Sequence, residues 1–162
     1  MPRIGAPITL GRFDGSSFND EFFALAKKAA QKSPFRVFRL GAIIVDRKGR
    51  LISSGCCGGE HANSHFKYFY FKRFPGKSMH AEMDAIGKIP SENVLSALRS
   101  RPMLDLLRNA RIYVYRLTEA NAPGNSRPCK DICWPILKKL ELRDAVYIYK
   151  IDGEPYIARE YF

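Results

Sequence analysis

The sequence predicts an α/β fold with three layers (α/β/α), in which helices cover both faces of one mixed β-sheet. Helical and strand-like segments alternate along most of the 162 residues, which is typical of such a sheet. Two pairs of apolar strands are joined by short turns, so some neighbouring strands must be antiparallel. The length suits a single domain, residues 1–162, with a core of about 18–160.

The first half of the chain predicts a helix, a hairpin and a long connection. Apolar residues recur at helical spacing within 17–33, and Pro34 should end that helix. Two apolar runs within 39–57 flank a turn that contains Gly49, which predicts a β-hairpin. Residues 58–77 begin with two glycines and end near a Pro-Gly pair, and they predict a long loop.

The second half predicts further helices and three more strands. A helix should start near Ser78, a plausible N-cap residue, and one or two short helices interrupted at Pro102 should follow. The remaining elements are a strand over 111–117, a loop, a helix over 134–142, and strands over 145–150 and 155–162. A turn at Asp152-Gly153 makes the last two strands antiparallel, and the sheet should have five strands.

The composition indicates a soluble, basic, globular protein. Hydrophobic residues make up 46% and charged residues 27%, which excludes a disordered chain. The net charge of +11 predicts an anionic partner, either a nucleotide phosphate or a polynucleotide. The four cysteines make a poor disulfide framework for this length, so a cytoplasmic, intracellular location is expected. No apolar run predicts a signal peptide or a membrane span, and no membrane partner is expected.

Two short motifs contain the residue types of a catalytic metal site. H-A-E at residues 80–82 opens the second helix, and P-C-x-x-x-C at residues 128–133 precedes the third. One imidazole and two thiolates give zinc three protein ligands and leave the fourth position for water. Glu82 lies two residues beyond the histidine, where it is better placed to move protons than to bind the same ion. Both motifs lie at helix N-termini, whose dipole favours thiolate.

The two motifs together resemble the H-x-E…P-C-x-x-C signature of the zinc-dependent cytidine deaminase superfamily. The order of helices and strands over about residues 18–160 resembles the fold of that superfamily too. The resemblance implies one catalytic zinc ion held by His80, Cys129 and Cys133. It also implies that Glu82 is the proton shuttle in the hydrolytic deamination of cytosine to uracil.

The cysteines of this chain are separated by three residues, whereas the signature has two. Pro135 fits only the first turn of a helix, so the third helix should not begin much before residue 132. Cys129 then lies in the preceding loop, which can absorb one more residue, and Cys133 lies near the helix start. The AID/APOBEC group of the superfamily also tolerates longer spacings.

A second group of candidate ligands consists of Cys56, Cys57, His61 and His65. The spacing of the two histidines is acceptable for a structural zinc site. Adjacent cysteines rarely bind one ion together, however, so the alternative is a buried thiol pair beside histidines that face solvent.

The segment FKYFYFKRFPGK, residues 66–77, interleaves six aromatic and four basic residues. Such a segment suits single-stranded nucleic acid, because bases stack on aromatic rings while cations neutralise the backbone. The alternative is that these aromatic residues belong to the core. Candidate substrate contacts, assigned by position alone, are Asn63, Lys67, Ala81, Ser126, Arg127 and Trp134.

The substrate prediction therefore has a preferred form and two alternatives. Charge and residues 66–77 favour cytosine in single-stranded DNA or RNA, and residues 126–129 resemble the S-P-C run of AID/APOBEC proteins. The antiparallel last strands instead resemble the deaminases of free cytidine, which makes a cytosine nucleoside or nucleotide the first alternative. The second is a non-catalytic, zinc-stabilised nucleic-acid-binding domain, which would need a fourth protein ligand.

Overall fold

The structure is a computed structural model that describes residues 7–14, 20–89, 94–95, 98 and 106–162. The strands are β1 (Ile8–Arg12), β2 (Arg39–Val45), β3 (Leu51–Cys56), β4 (Arg111–Leu117), β5 (Pro123–Gly124), β6 (Asp144–Ile151) and β7 (Glu154–Tyr161). The helices whose bounds the structure describes are α1 (Asp20–Gln31), α2 (Ser64–Arg73), α3 (Ala81–Gly87) and α4 (Cys133–Lys139), and residues 94, 95 and 98 are helical as well.

The described strands form one mixed sheet in the order β1-β7-β6-β4-β2-β3, with β5 paired to β4. β4 and β6 are parallel, whereas β2 pairs antiparallel with both β3 and β4, and β7 with both β1 and β6. The mixed sheet and its antiparallel last two strands confirm the prediction. The predicted number of strands was wrong, because the described sheet has seven strands and not five.

Both missed strands are short and depend on a partner for their conformation. β1 contains Gly11 and is mostly exposed, so its sequence lacks the apolar alternation by which strands are recognised. β5 has only two residues, one of them Pro123, and pairs with the end of β4.

The predicted hairpin turns are confirmed by the backbone. Asp152 and Gly153 have φ values of 51° and 82°, the left-handed pair that a two-residue turn between twisted strands requires. Gly49 has φ of 82° in the turn between β2 and β3. Asp46 caps that turn by accepting hydrogen bonds from the backbone N–H groups of Lys48 and Arg50.

Two apolar clusters, one on each face of the sheet, confirm the three layers. Successive residues of a strand point to opposite faces, and β2 shows this directly. Ile43 and Val45 pack with Phe23 of α1, whereas Ala42 and Ile44 pack in the cluster that contains residues of α2, α3 and α4. The face with three helices also contains both metal-ligand motifs.

Two glycines allow the helices to approach the sheet closely. A Cβ added at Gly41 would lie under 3.0 Å from the backbone of α1 at Ala26, and one at Gly55 would meet the backbone of α3 at Ala81 and Ala85 equally closely. No side chain fits at either position without moving a helix. The position of α3, which begins directly after His80, therefore depends on a residue of β3.

Three predicted boundaries differ from the structure. Residues 58–77 contain the helix α2, which the sequence did not reveal because its aromatic run fits a strand or a buried loop as well as a helix. α3 begins at Ala81 with His80 as its N-cap, not near Ser78, and α4 ends at Lys139. The short helices expected around Pro102, and Phe18 of the first helix, fall on or beside residues outside the described ranges.

Within the part of the chain that the structure describes, no helix combines the length and apolar character needed to cross a membrane.

Candidate active site

The three candidate zinc ligands meet where two helices begin. His80 is the N-cap of α3, and Cys133 is the first residue of α4. Cys129 lies in the turn before α4, where its sulfur accepts a hydrogen bond of 3.3 Å from the backbone N–H of Cys133. That turn contains the additional residue between the cysteines, as the position of Pro135 predicts.

The three donor atoms fit a zinc ion. His80 Nδ1 lies 3.5 Å from Cys129 Sγ and 3.3 Å from Cys133 Sγ, and all three atoms are within 4.8 Å of one another. Tetrahedral zinc, with bonds of about 2.0 Å to nitrogen and 2.3 Å to sulfur, places such atoms about 3.5 Å apart. The chemistry and spacing of the donors therefore match a zinc site with three protein ligands.

The second candidate group does not form a site. Among the described residues, the cluster of His80, Cys129 and Cys133 is the one group of three or more potential ligands that comes together. His61 and His65 are exposed and Cys57 is buried, so these residues match the alternative of a buried thiol beside histidines that face solvent.

The three groups of the cluster differ in how their pKa values are shifted. Hydrogen bonds with Cys133 and with His80 lower the pKa of the Cys129 thiol to about 3, which favours the thiolate form of this sulfur. Burial raises the pKa of the Cys133 thiol, and the hydrogen bond with Cys129 raises the pKa of His80. A divalent cation between the two sulfurs would favour thiolate at both.

Glu82 lies beside this cluster in the first turn of α3. Its side chain is only 3% exposed, and burial raises the pKa of the carboxyl group above its usual range. A buried carboxyl group that can gain and lose a proton next to a zinc site is suited to general acid–base work.

A cavity of about 740 Å³ connects these groups to solvent. His80, Glu82 and Cys129 line its buried part, together with Ala81 and Cys57. The size lies within the range of about 300–1,000 Å³ that ligand cavities occupy.

The exposed wall of the cavity is the segment 35–38, which the sequence analysis missed. Phe35, Arg36, Val37 and Phe38 all line the cavity, and Phe38 is 57% exposed. The guanidinium group of Arg116 lies 4.7 Å from the centre of the Phe38 ring. The signal was present in the sequence as FRVFR directly after Pro34, a shorter interleaving of the same residue types as in 66–77.

Two of the candidate substrate contacts, Asn63 and Lys67, have hydrogen-bond partners within the protein. Asn63 donates hydrogen bonds of 2.8 Å and 2.7 Å from its amide to the carbonyls of Gly87 and Ile89, at the C-terminal end of α3. Lys67 donates to the backbone carbonyl of Glu60. Neither residue is part of the described lining of the cavity.

Of the other candidate contacts, Ala81 and Arg127 line the cavity. Ser126 is buried, and its hydroxyl group donates to the Val114 carbonyl at 2.7 Å. Trp134 packs on Phe162, with ring centroids 4.5 Å apart. The structure therefore separates these residues into two that line the cavity and two that support neighbouring segments.

The aromatic and basic segment is half core and half surface. Phe66 and Tyr70 are buried in α2, whereas Tyr68 and Phe71 are 69% and 45% exposed. The Lys72 ammonium group lies 5.6 Å from the centre of the Tyr68 ring. The core interpretation therefore holds for Phe66 and Tyr70, and nucleic-acid binding by the exposed residues stays a prediction.

Comparison with known proteins agrees with the motif. Residues 16–149 match the family described as the cytidine and deoxycytidylate deaminase zinc-binding region. Among solved structures, the chain is similar to the dCMP deaminase from the cyanophage S-TIM5 in apo form. The two share 18% identity over 83% of this chain and 85% of that chain, with a TM-score of 0.49. No curated protein matches the sequence.

Proposed function

The chain belongs to the cytidine and deoxycytidylate deaminase family, and from that premise we propose that it deaminates cytosine to uracil in single-stranded nucleic acid. As a member of that family it is a zinc-dependent deaminase with a His-Cys-Cys site. The proposal concerns the form in which the cytosine is presented, DNA or RNA strand rather than free nucleotide, and the roles of individual residues.

In the proposed reaction one water is consumed and ammonia is released. Zinc bound by His80, Cys129 and Cys133 would lower the pKa of the reacting water. Glu82 would take the proton that the attacking water gives up and deliver it to ring nitrogen N3. It would then carry a second proton, from the hydroxyl group added at C4, to the amine, which leaves as ammonia when the C4–N bond breaks. The burial of Glu82 in the cavity wall supports this role, because bulk water cannot compete there for its proton.

One observation favours single-stranded nucleic acid over a free nucleotide as the substrate. The cavity has an open wall of aromatic and arginine side chains. Phe35, Val37 and Phe38 are 37%, 43% and 57% exposed, and Arg36 lies among them. Sites for small molecules usually bury most of the ligand surface, whereas a strand that passes over a site needs exposed rings for its neighbouring bases. The exposed rings of this wall therefore suit a strand better than a small ligand.

The surface of α2 supports the same proposal. Tyr68 and Phe71 expose their rings, and Lys72 adds positive charge over Tyr68. The net charge of +11 would attract the phosphate backbone. Binding to a strand should therefore weaken as salt increases.

The deamination of a free cytosine nucleotide or nucleoside is the second candidate function. The antiparallel pairing of β6 and β7 favours it, because this hairpin resembles the free-nucleoside deaminases. A non-catalytic zinc domain is not supported. Three potential ligands cluster among the described residues where that alternative needs four.

The test is a product assay with zinc-loaded protein. Single-stranded DNA, single-stranded RNA, deoxycytidylate and cytidine are each incubated with the protein, the polymers are digested, and uracil-containing nucleosides are quantified by mass. The Glu82→Gln variant is run in parallel, because it controls for a contaminating deaminase. Uracil in either polymer supports the proposal, whereas turnover of the monomers alone would reject it in favour of the second candidate.

A further inference from the structure

We propose that Arg127 binds a phosphate group next to the target cytosine, and that Glu160 is the positioning residue that holds Arg127 in place. The inference rests on the proposed deaminase function and deepens it. It assigns to the site a preference for cytosine that carries a phosphate over the unphosphorylated nucleoside. It also gives the last strand a part in the active site.

The backbone at Arg127 is fixed relative to the metal ligands. The preceding residue, Ser126, is bound to β6 on both sides: its N–H donates to the Ile148 carbonyl at 2.9 Å, and its hydroxyl accepts from the Ile148 N–H at 2.9 Å. The following residue, Pro128, has a fixed φ, and Cys129 comes next. The side chain of Arg127 therefore starts from a rigid point two residues before a candidate zinc ligand.

The guanidinium group is then held by a buried carboxylate. Arg127 Nε lies 2.6 Å from Glu160 Oε1, and Nη2 donates to Oε2 at 2.9 Å, which is a two-point ion pair. Glu160 is fully buried and also bonds the hydroxyl group of Tyr147. On another side the guanidinium lies 5.8 Å from the ring centre of Trp134. The contacts with Glu160 and Trp134 therefore restrict the conformations that the Arg127 side chain can adopt.

A purely structural ion pair would not need to lie in the cavity. The arginine side chain is 37% exposed and lines the same cavity as His80, Glu82 and Cys129. A guanidinium group has five N–H donors in a plane, and the carboxylate engages one nitrogen at each of its oxygens, so donors remain for another acceptor. Phosphate is the acceptor that such a rigid fork fits best.

Another buried acid provides the comparison. Asp144 is also fully buried and pairs with Arg111 at 2.7 Å, with Arg143 at 3.2 Å and with Arg159 at 4.0 Å. None of these three arginines belongs to the described lining of the substrate cavity. Arg143, which is 44% exposed, is thus a matched control for Arg127, because each is a partly exposed arginine paired with a buried acid.

The phosphate has two possible sources, an internucleotide linkage of a strand or the phosphate of a mononucleotide. For the strand, oligonucleotides with one cytosine are made in which a neutral methylphosphonate replaces the phosphate on its 5′ side or on its 3′ side. Binding by zinc-loaded Glu82→Gln protein and turnover by the zinc-loaded wild-type protein are measured for each. The mononucleotide arm compares deoxycytidylate with deoxycytidine.

In the Glu82→Gln protein, in which Arg127 is unchanged, one of the two replacements should weaken binding about 10-fold to 100-fold, as for a lost charge-assisted hydrogen bond. With Arg127→Ala added, the unmodified oligonucleotide should already bind that much more weakly. The methylphosphonate should then weaken binding no further. Arg143→Ala should behave as wild type. If polymers are not substrates but Arg127→Ala removes a preference for deoxycytidylate over deoxycytidine, the proposed polymer function fails and the phosphate site stands.

Glu160→Gln should raise KM for phosphate-bearing substrates about 3-fold to 10-fold with little change in kcat, because one neutral amide oxygen holds the guanidinium less firmly. Tyr147→Phe, which removes one hydrogen bond to Glu160, is a milder second variant should Glu160→Gln not fold. An unchanged or lower KM in both variants would overturn the positioning role. A wild type indifferent to both methylphosphonates and to the phosphate of deoxycytidylate would overturn the phosphate site. An Arg127→Ala variant that loses kcat equally on every substrate, deoxycytidine included, would overturn it too.

Discussion

The candidate active site has two parts that differ in burial and in what fixes them. In the inner part, Glu82 and Cys133 are almost completely buried, and both lie in the first turn of a helix. In the outer part, Phe38 and Arg127 are exposed and lie in connecting segments between regular elements. The inner groups are bound to one another, whereas each outer group is held mainly by a distant residue.

Under the proposed function, the two parts would have different tasks. Chemistry needs donors and a proton carrier at fixed separations, and helix N-termini with a packed core provide that rigidity. Selection of the substrate needs surfaces that remain accessible to a large ligand, and loops on a rigid scaffold provide those. Changes in the inner part should therefore affect every substrate alike, and changes in the outer part should affect some substrates only.

The largest effect is expected from Cys133→Ser in the inner part. A hydroxyl group is a much poorer zinc ligand than a thiolate, so zinc content and activity on all substrates should both be lost. Elemental analysis of the purified protein measures the zinc. Cys56→Ser is the control and should keep full zinc content, since Cys56 is not part of the cluster. Equal zinc in the two variants would show that the cluster is not the metal site.

Glu82→Gln should come next, with kcat lowered about 10²-fold to 10⁴-fold on every substrate. The amide has the shape of the carboxylate but cannot carry the proton. The melting temperature should not fall, because the substitution removes an ionisable group from a buried position. Glu60→Gln, at an exposed position, is the control. A variant that keeps more than about a tenth of the activity would remove Glu82 from the mechanism.

Gly55→Ala should lower both the stability of the protein and the activity that depends on the inner part. The new methyl group would meet the backbone of α3, so the free energy of unfolding should fall by about 1–3 kcal/mol or more. The activity per folded molecule should fall as well, because α3 carries Glu82. Gly41→Ala has the same clash with α1 on the opposite face, and its folded fraction should keep its activity. Denaturant titration measures the free energy of unfolding, and parallel assays measure the activity per folded molecule. Equal activity losses in the two variants would contradict the expected difference between the two faces of the sheet.

Phe38→Ala tests the outer part. Loss of one stacking ring should raise KM for single-stranded oligonucleotides about 5-fold to 100-fold, with the turnover of deoxycytidylate nearly unchanged. Leu51→Ala, at a position of β3 that is 52% exposed, is the control for loss of an exposed apolar side chain. The same loss on polymer and monomer would mean that the wall does not select between them.

The smallest effect is expected from Asp46→Asn, outside both parts of the cavity. Hydrogen bonds from Arg50 and Lys48 lower the pKa of the Asp46 carboxyl group. Its unfolded value is higher, so the carboxylate stabilises the fold above that value, and the benefit is lost as the pH falls through the folded pKa. The wild type should melt slightly above the variant at pH 7, and the gap should close in acid with activity unchanged. A difference in melting temperature that widens in acid would contradict the expected direction of this pH dependence.

The sequence alone was sufficient for the candidate zinc cluster and for the hairpins. His80, Cys129 and Cys133 were singled out because zinc binding requires those residue types in short, local motifs, and the structure brings the three together. The catalytic role of Glu82 stays a prediction. Pro135 also located the start of α4, since a proline restricts its own helical turn. The Asp152-Gly153 turn is local in the same way, and the antiparallel last strands followed from it.

Only the tertiary structure decided the outer part and the marginal elements. The aromatic run of α2 became a helix because Phe66 and Tyr70 pack in the core, a choice that its own sequence leaves open. β1 and β5 are strands because β7 and β4 offer them hydrogen bonds.

Arg127 and Glu160 show the physical reason most directly. They are 33 residues apart, and nothing in either segment indicates the other. Side chains that meet through packing of distant strands leave no periodic or spacing signal in the chain. The sequence therefore determined the residue types of the candidate zinc site, and the fold decided which side chains surround it.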